Sequence, residues 1–174
     1  VSLTPMKPFK SWPQSVTHSA TAGFTLLEML VVVIIVGVLA SIAAPDWFQY
    51  LMGRRVVTVR DEVRQVLEEA QDTAIARREQ RVVTFYTNED RPTVSIGSTH
   101  NDGIRQTLGG DSVRPGMITL SATADSVTFD YQGTVASSTT ITVFPTGQTG
   151  GRKSCVLVRT LLGSLTNEDG ANCP

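Results

Sequence analysis

The chain has 174 residues, 41% of them hydrophobic and 18% charged, and a formal net charge of −1. That length suits one modest domain plus an anchor rather than two full domains. A balance so near neutrality gives no overall field to draw in nucleic acid or an acidic surface, which argues against a generic polyanion binder.

Residues 1–22 contain Pro5, Pro8 and Pro13, with Lys7 and Lys10 among several Ser and Thr, and no periodic apolar face. They read as a polar, weakly basic leader, whose removal through Gly23 would leave a net charge near −3. From Phe24 to Ala44 the only charged residue is Glu28. Twenty-one helical residues extend about 32 Å, close to the ~30 Å hydrocarbon core of a bilayer. The run is apolar on all sides, as a lipid-embedded helix must be. Basic residues precede it, so the leader is expected to stay cytoplasmic and the C-terminal part to be exported.

Three readings of this segment compete. A conventional signal peptide would be cut behind the small-x-small stretch Ser41-Ile42-Ala43, and a plain single-pass anchor would stay intact. Both must accommodate Glu28, because an acid within an apolar span is costly unless it lies at headgroup level. In the third, Gly23-Phe24-Thr25-Leu26-Leu27-Glu28 ahead of an apolar helix closely resembles the class III signal of type IV pilins and type II secretion pseudopilins.

That resemblance implies cleavage by a prepilin peptidase after Gly23 and N-methylation of the new terminus at Phe24. It also implies that Glu28, the fifth mature residue, takes part in subunit assembly by answering the Phe24 amine of a neighbour. The implied partners are the peptidase, major and other minor pilins or pseudopilins, the inner-membrane assembly platform, and membrane lipid before assembly. The implied location is the bacterial inner membrane as a single-pass protein with a periplasmic C-terminal domain, then the pilus or pseudopilus. Pro45 falls where many pilins carry a helix-bending proline; lacking an amide hydrogen, it predicts a helix kink.

Past Pro45, apolar residues recur at Phe48, Leu51, Val59, Val63, Val66, Leu67, Ala70, Ala74 and Ile75. Their spacing predicts an amphipathic helix to about Arg78. Asp61, Glu62 and Arg64 offer i,i+3 support, and Arg54, Arg55 and Arg60 read as a solvated helix face, the alternative being a partner-docking patch.

From Arg81 the period becomes two. Strands are predicted over 81–87, 92–97, 117–122, 126–131, 139–144 and 154–159, with a loop near Asn101–Gly110 and a Gly-rich turn over 147–151. The fold class is therefore α+β: a long N-terminal helix, hydrophobic and membrane-spanning in its first half, packed on an antiparallel β-sheet domain. The organisation is a leader (1–23), a membrane or filament-core helix (24–44), its amphipathic continuation (45–80) and a β-rich domain (81–174).

Phe129-Asp-Tyr-Gln-Gly-Thr-Val135, then an apolar strand, a Gly-rich turn and a cysteine-bearing strand, resembles the GspH/FimT branch of minor pilins and pseudopilins. The resemblance implies the pilin fold and a minor subunit with a priming, tip or accessory role. Some members end in a Gly-Arg-x-Arg element associated with DNA capture. The corresponding stretch here, Leu162-Gly163-Ser164-Leu165, lacks both arginines. Arg152, Lys153 and Arg159 are the nearest bases and make at most a weak DNA contact, because phosphate affinity grows with the charges neutralised.

Cys155 and Cys173 are the only cysteines. In an exported domain they predict a disulfide, the alternative being two free thiols. Neither histidine, His18 or His100, stands near a nucleophile, and no metal-ligand spacing, phosphate-binding glycine loop or cofactor motif occurs. The sequence predicts a structural subunit rather than an enzyme, with no metal or cofactor. Its rival is an exported, membrane-anchored binding domain, including a minor pilin for DNA uptake.

Overall fold

The computed structural model describes residues 23–147, 152–159 and 162–173. The leader through residue 22 and most of the Gly-rich turn over 147–151 lie outside the described residues. The side chains of residues 44–46 do too, and with them the kink expected at Pro45. The chain divides into two compact units, Val1–Ser41 and Ile42–Pro174. Helix α1 (Leu26–Arg77) begins in the first and ends in the second.

The first unit contributes the start of α1, and its apolar side chains are exposed. In the second unit, α1 turns amphipathic. Val56, Val59, Val63, Val66, Leu67, Ala70 and Ala74 are buried in one hydrophobic cluster, the repeat of three and four that places side chains on one helix face. Phe48 and Ile75, expected on that stripe, are exposed, while Val56, not anticipated, is fully buried.

Eight strands follow, two more than predicted: β1 (Arg81–Tyr86), β2 (Thr93–Gly97), β3 (Ile104–Thr107), β4 (Ile118–Ala122), β5 (Ser126–Phe129), β6 (Thr139–Pro145), β7 (Ser154–Arg159) and β8 (Ser164–Asp169). They form two four-stranded antiparallel sheets, ordered β3-β2-β1-β5 and β4-β6-β7-β8, where the sequence had suggested one. Inward residues of both sheets, including Val83, Val94, Phe129, Ile141, Val143 and Val156, join the α1 stripe in a single core. Strand β6 shows the period most plainly, with Thr139, Ile141, Val143 and Pro145 buried and the residues between them half-buried. Strand β1 is buried on both faces. On one, the loop after β2 returns so that the Thr84 hydroxyl contacts the His100 ring at 3.3 Å.

The two unpredicted strands are polar. All four residues of β3 are exposed at a sheet edge. Strand β8 reads Ser-Leu-Thr-Asn-Glu-Asp and is held by its ladder to β7, from Arg159↔Ser164 to Ser154↔Asp169. Cys155 on β7 bonds Cys173, with the Cα atoms 5.8 Å apart, tying the chain end to a fully buried strand position. The bridge closes a loop worth roughly 3 kcal/mol on the chain-entropy account. Replacing both cysteines by serine should therefore lower the unfolding free energy by about 2–4 kcal/mol. Denaturation of the variant and of the native protein, each with and without reductant, checks this: only the native protein should respond to the reductant.

Candidate functional site

The site is built from the start of α1. Thr25 immediately precedes the helix, and its Oγ1 accepts from the Glu28 amide at 3.2 Å. The Thr25 carbonyl accepts the first helical bond, from the Met29 amide at 3.2 Å. Thr25 is thus the N-cap and Glu28 the third helical residue, the Thr-x-x-Glu spacing of a capping box. That spacing stands in the sequence, and the sequence reading missed it.

The cap fixes where regular structure begins. Gly23 and Phe24 lie ahead of it, exposed and outside any helix or strand, and the space around the Gly23 Cα is open. Glu28 sits in the first turn, where a carboxylate is favoured by the exposed amides and the positive end of the helix dipole. Beyond it, every large apolar side chain from Met29 to Ile42 is between 45% and 68% exposed. The most apolar 18-residue stretch of α1 has a mean hydropathy of 2.8 and no buried share, so the helix is long and apolar enough to cross a membrane.

A second arrangement organises the β-rich part around one side chain of α1. The Gln71 amide nitrogen donates to the carbonyl of Gly133 at 2.8 Å and lies 3.3 Å from those of Leu162 and Gly163. It therefore joins the turn after β5 to the turn between β7 and β8. Gly163 has φ +60°, and a Cβ there would collide with the Gly133 carbonyl and the Gln71 amide. The two segments singled out from the sequence, Phe129–Val135 and Leu162–Leu165, are therefore neighbours on the helix. The first is shaped by Asp130, whose carboxylate accepts from the amides of Gln132 and Thr134 and from the Thr134 hydroxyl. These bonds, the Thr134 amide foremost, hold the Asp130 carboxyl below its usual value. Its contribution to stability is thus present above the ordinary carboxylate range and lost as pH falls through the lowered value.

The basic residues sort differently from expectation. Arg60, expected on a solvated face, is buried, one turn from Val56 and next to Val59. It bridges Asp61 of its own helix at 2.8 Å and Asp169 at the end of β8 at 3.1 Å. The Ser154 hydroxyl donates to the same Asp169 oxygen at 2.6 Å. Arg64 pairs with Glu68 rather than Asp61. Arg152 and Lys153 are exposed just ahead of β7, whereas Arg159 closes that strand, about 20 Å or more away at the rise of a strand. The three bases suggested for DNA do not form one patch.

Residues 18–44 match the prokaryotic N-terminal methylation motif. Two fimbrial proteins of Pseudomonas aeruginosa are each 30% identical over 160 residues, covering 89% of this chain and 97% of theirs. The crystal structure of the type IV minor pilin FimU of P. aeruginosa aligns at a TM-score of 0.56 and 16% identity, over 70% of this chain and 96% of that one. The minor pseudopilin EpsH of the Vibrio cholerae type 2 secretion system aligns more loosely, at 0.47 and 18% identity, over 63% of this chain and 92% of that one.

Truncating Gln71 to alanine should loosen both turns at once. The expected loss is about 1–3 kcal/mol, the cost of leaving part-buried carbonyls without a donor. Hydrogen exchange should show faster opening at Gly133 and Leu165 together. Faster exchange at only one of them would mean that the two turns are not joined through Gln71.

Proposed function

The chain belongs to the type IV pilin and pseudopilin family, and from that premise we propose that it is a minor subunit matured by cleavage after Gly23 and built into a filament through α1. It is a structural subunit rather than an enzyme. The observation that carries the reading is the helix start. A Thr25 cap leaves Gly23-Phe24 outside the helix, where a peptidase needs an extended, reachable bond, and sets Glu28 one turn behind the terminus that cleavage would create.

Cleavage would place a positive amine at Phe24 and a negative charge at Glu28 on the same end of an apolar helix. In a bilayer both reach headgroup level. Withdrawn into a filament core, each would be desolvated, and a lone buried charge costs several kcal/mol. Glu28 of one subunit meeting the Phe24 amine of the next offsets that cost and sets the axial register. The exposed apolar run is then first a lipid-facing anchor and afterwards a packing surface for neighbouring helices. Before assembly the subunit would stand in the inner membrane with the β-rich part in the periplasm, as the basic leader requires.

Full-length likeness to fimbrial proteins favours a type IV pilus over a secretion pseudopilus. The two four-stranded sheets behind the helix fit a minor subunit of the GspH/FimT type, with a priming, tip or accessory role.

Glu28→Ala tests the pairing. The variant should stay in the membrane fraction and be processed, while its share in sheared filaments falls tenfold or more, equivalent to about 1.4 kcal/mol or greater. Incorporation at the native level would contradict the role given to Glu28.

A further inference from the structure

The end of the second unit that holds residues 47–55 of α1 gathers cations from distant parts of the sequence. Arg54 and Arg55 lie on α1, exposed and half-buried respectively. Arg152 comes from the segment ahead of β7, and its Cδ lies 3.9 Å from where a Cβ on Gly53 would stand. Its aliphatic stem therefore crosses the helix where α1 offers no side chain, and exposed Lys153 follows it. Among the described residues, none of these four cations has a carboxylate within 4.0 Å, whereas Arg60, Arg64, Arg81 and Arg105 all do. Asp169, opposite Ser154 in the ladder, is already engaged by Arg60 and Ser154.

The same end carries an aromatic pair. Trp47 and Tyr50 are 62% and 56% exposed, with ring centroids 6.0 Å apart. They follow the last apolar residue, Ala44, by about 4.5 and 9 Å of helix rise. The headgroup layer on each side of a bilayer is about 5–8 Å deep, which puts Trp47 inside it and Tyr50 at its outer edge, and it is where Trp and Tyr settle, an apolar ring with a polar tip. Arg54 lies about 15 Å past Ala44 on the same rise, so its flexible side chain reaches the outer edge of that layer.

We propose that this end is a lipid-headgroup surface, with Trp47 and Tyr50 seated in the interface while Arg54, Arg55, Arg152 and Lys153 engage the phosphates of anionic phospholipids. It rests on the membrane-anchored stage of the reading above. The surface would hold the β-rich part down on the exported face of the bilayer until assembly withdraws the subunit. A domain near −3 overall gains local attraction by concentrating unpaired cations at one end, and each basic group near an anionic surface adds to the hold.

Lys153 is the only lysine outside the leader, so it reports on the surface directly. The full chain would be reconstituted at low density in vesicles of phosphatidylcholine, alone or with phosphatidylglycerol, and labelled with a membrane-impermeant amine reagent. Peptide mass spectrometry should find Lys153 modified about fivefold more slowly with the anionic lipid, the factor expected of one basic group held at such a surface. High salt, or Arg54→Gln with Arg152→Gln, should erase the difference. Equal rates in the two vesicles, with the protein co-floating in both, overturn the headgroup surface and leave the anchor standing. Protection that grows with protein density at fixed lipid composition overturns it in favour of a second copy. Failure to float with either vesicle overturns the anchor and this surface together.

Discussion

The first half of α1 cannot satisfy itself in water, and everything else about the chain follows from that. From Met29 to Ile42 its large apolar side chains are exposed on every side. An aliphatic side chain left in water forgoes about 1.5–3 kcal/mol, so the run must be covered by something outside the described chain. Lipid can do this, and so can other helices of the same kind. The same helix beyond Val56 is covered from within, where its stripe completes the core of two sheets. One element thus carries two burial regimes, and the change between them falls in the stretch that holds Pro45, Trp47 and Tyr50.

The ends of the chain are managed by opposite means. Before the apolar run, a single Thr25 hydroxyl settles where the helix starts and leaves Gly23 and Phe24 outside it. At the back, the last strand is polar and would contribute little burial of its own, yet three devices fix it. Its ladder with β7, the Cys155–Cys173 bond and the buried Arg60 guanidinium on Asp169 converge on the same few residues. Gln71 does the equivalent for the two glycine turns. These cross-links tie strands that are distant in sequence to one another and to the amphipathic part of α1.

Much of this was legible in the residues. The long apolar start of α1 was legible from hydropathy, and the end of the helix to within one residue and six of the strands from hydrophobic period, because burial imposes period directly. The disulfide was legible from the two cysteines once export was inferred from the apolar run. Strands β3 and β8 were not, since Arg, Gln, Asn, Glu and Asp are depleted in strands and here pair through backbone and tertiary contacts. The second sheet was missed for a related reason: strand order is a long-range property that local alternation does not encode. Arg60 was placed on the surface by its charge, although its helical position beside Val56 and Val59 points inward. The joining of Phe129–Val135 to Leu162–Leu165 depends on Gln71, an ordinary glutamine in a helical run, and no local pattern marks it.

The central claim is that cleavage at Gly23 turns a membrane anchor into the packing element of a filament. The most direct measurement is the mass of the N-terminal peptide of the protein isolated from cells that assemble it. The account requires a chain beginning at N-methylated Phe24. A chain beginning at Ala44, or one that retains the leader, would contradict it.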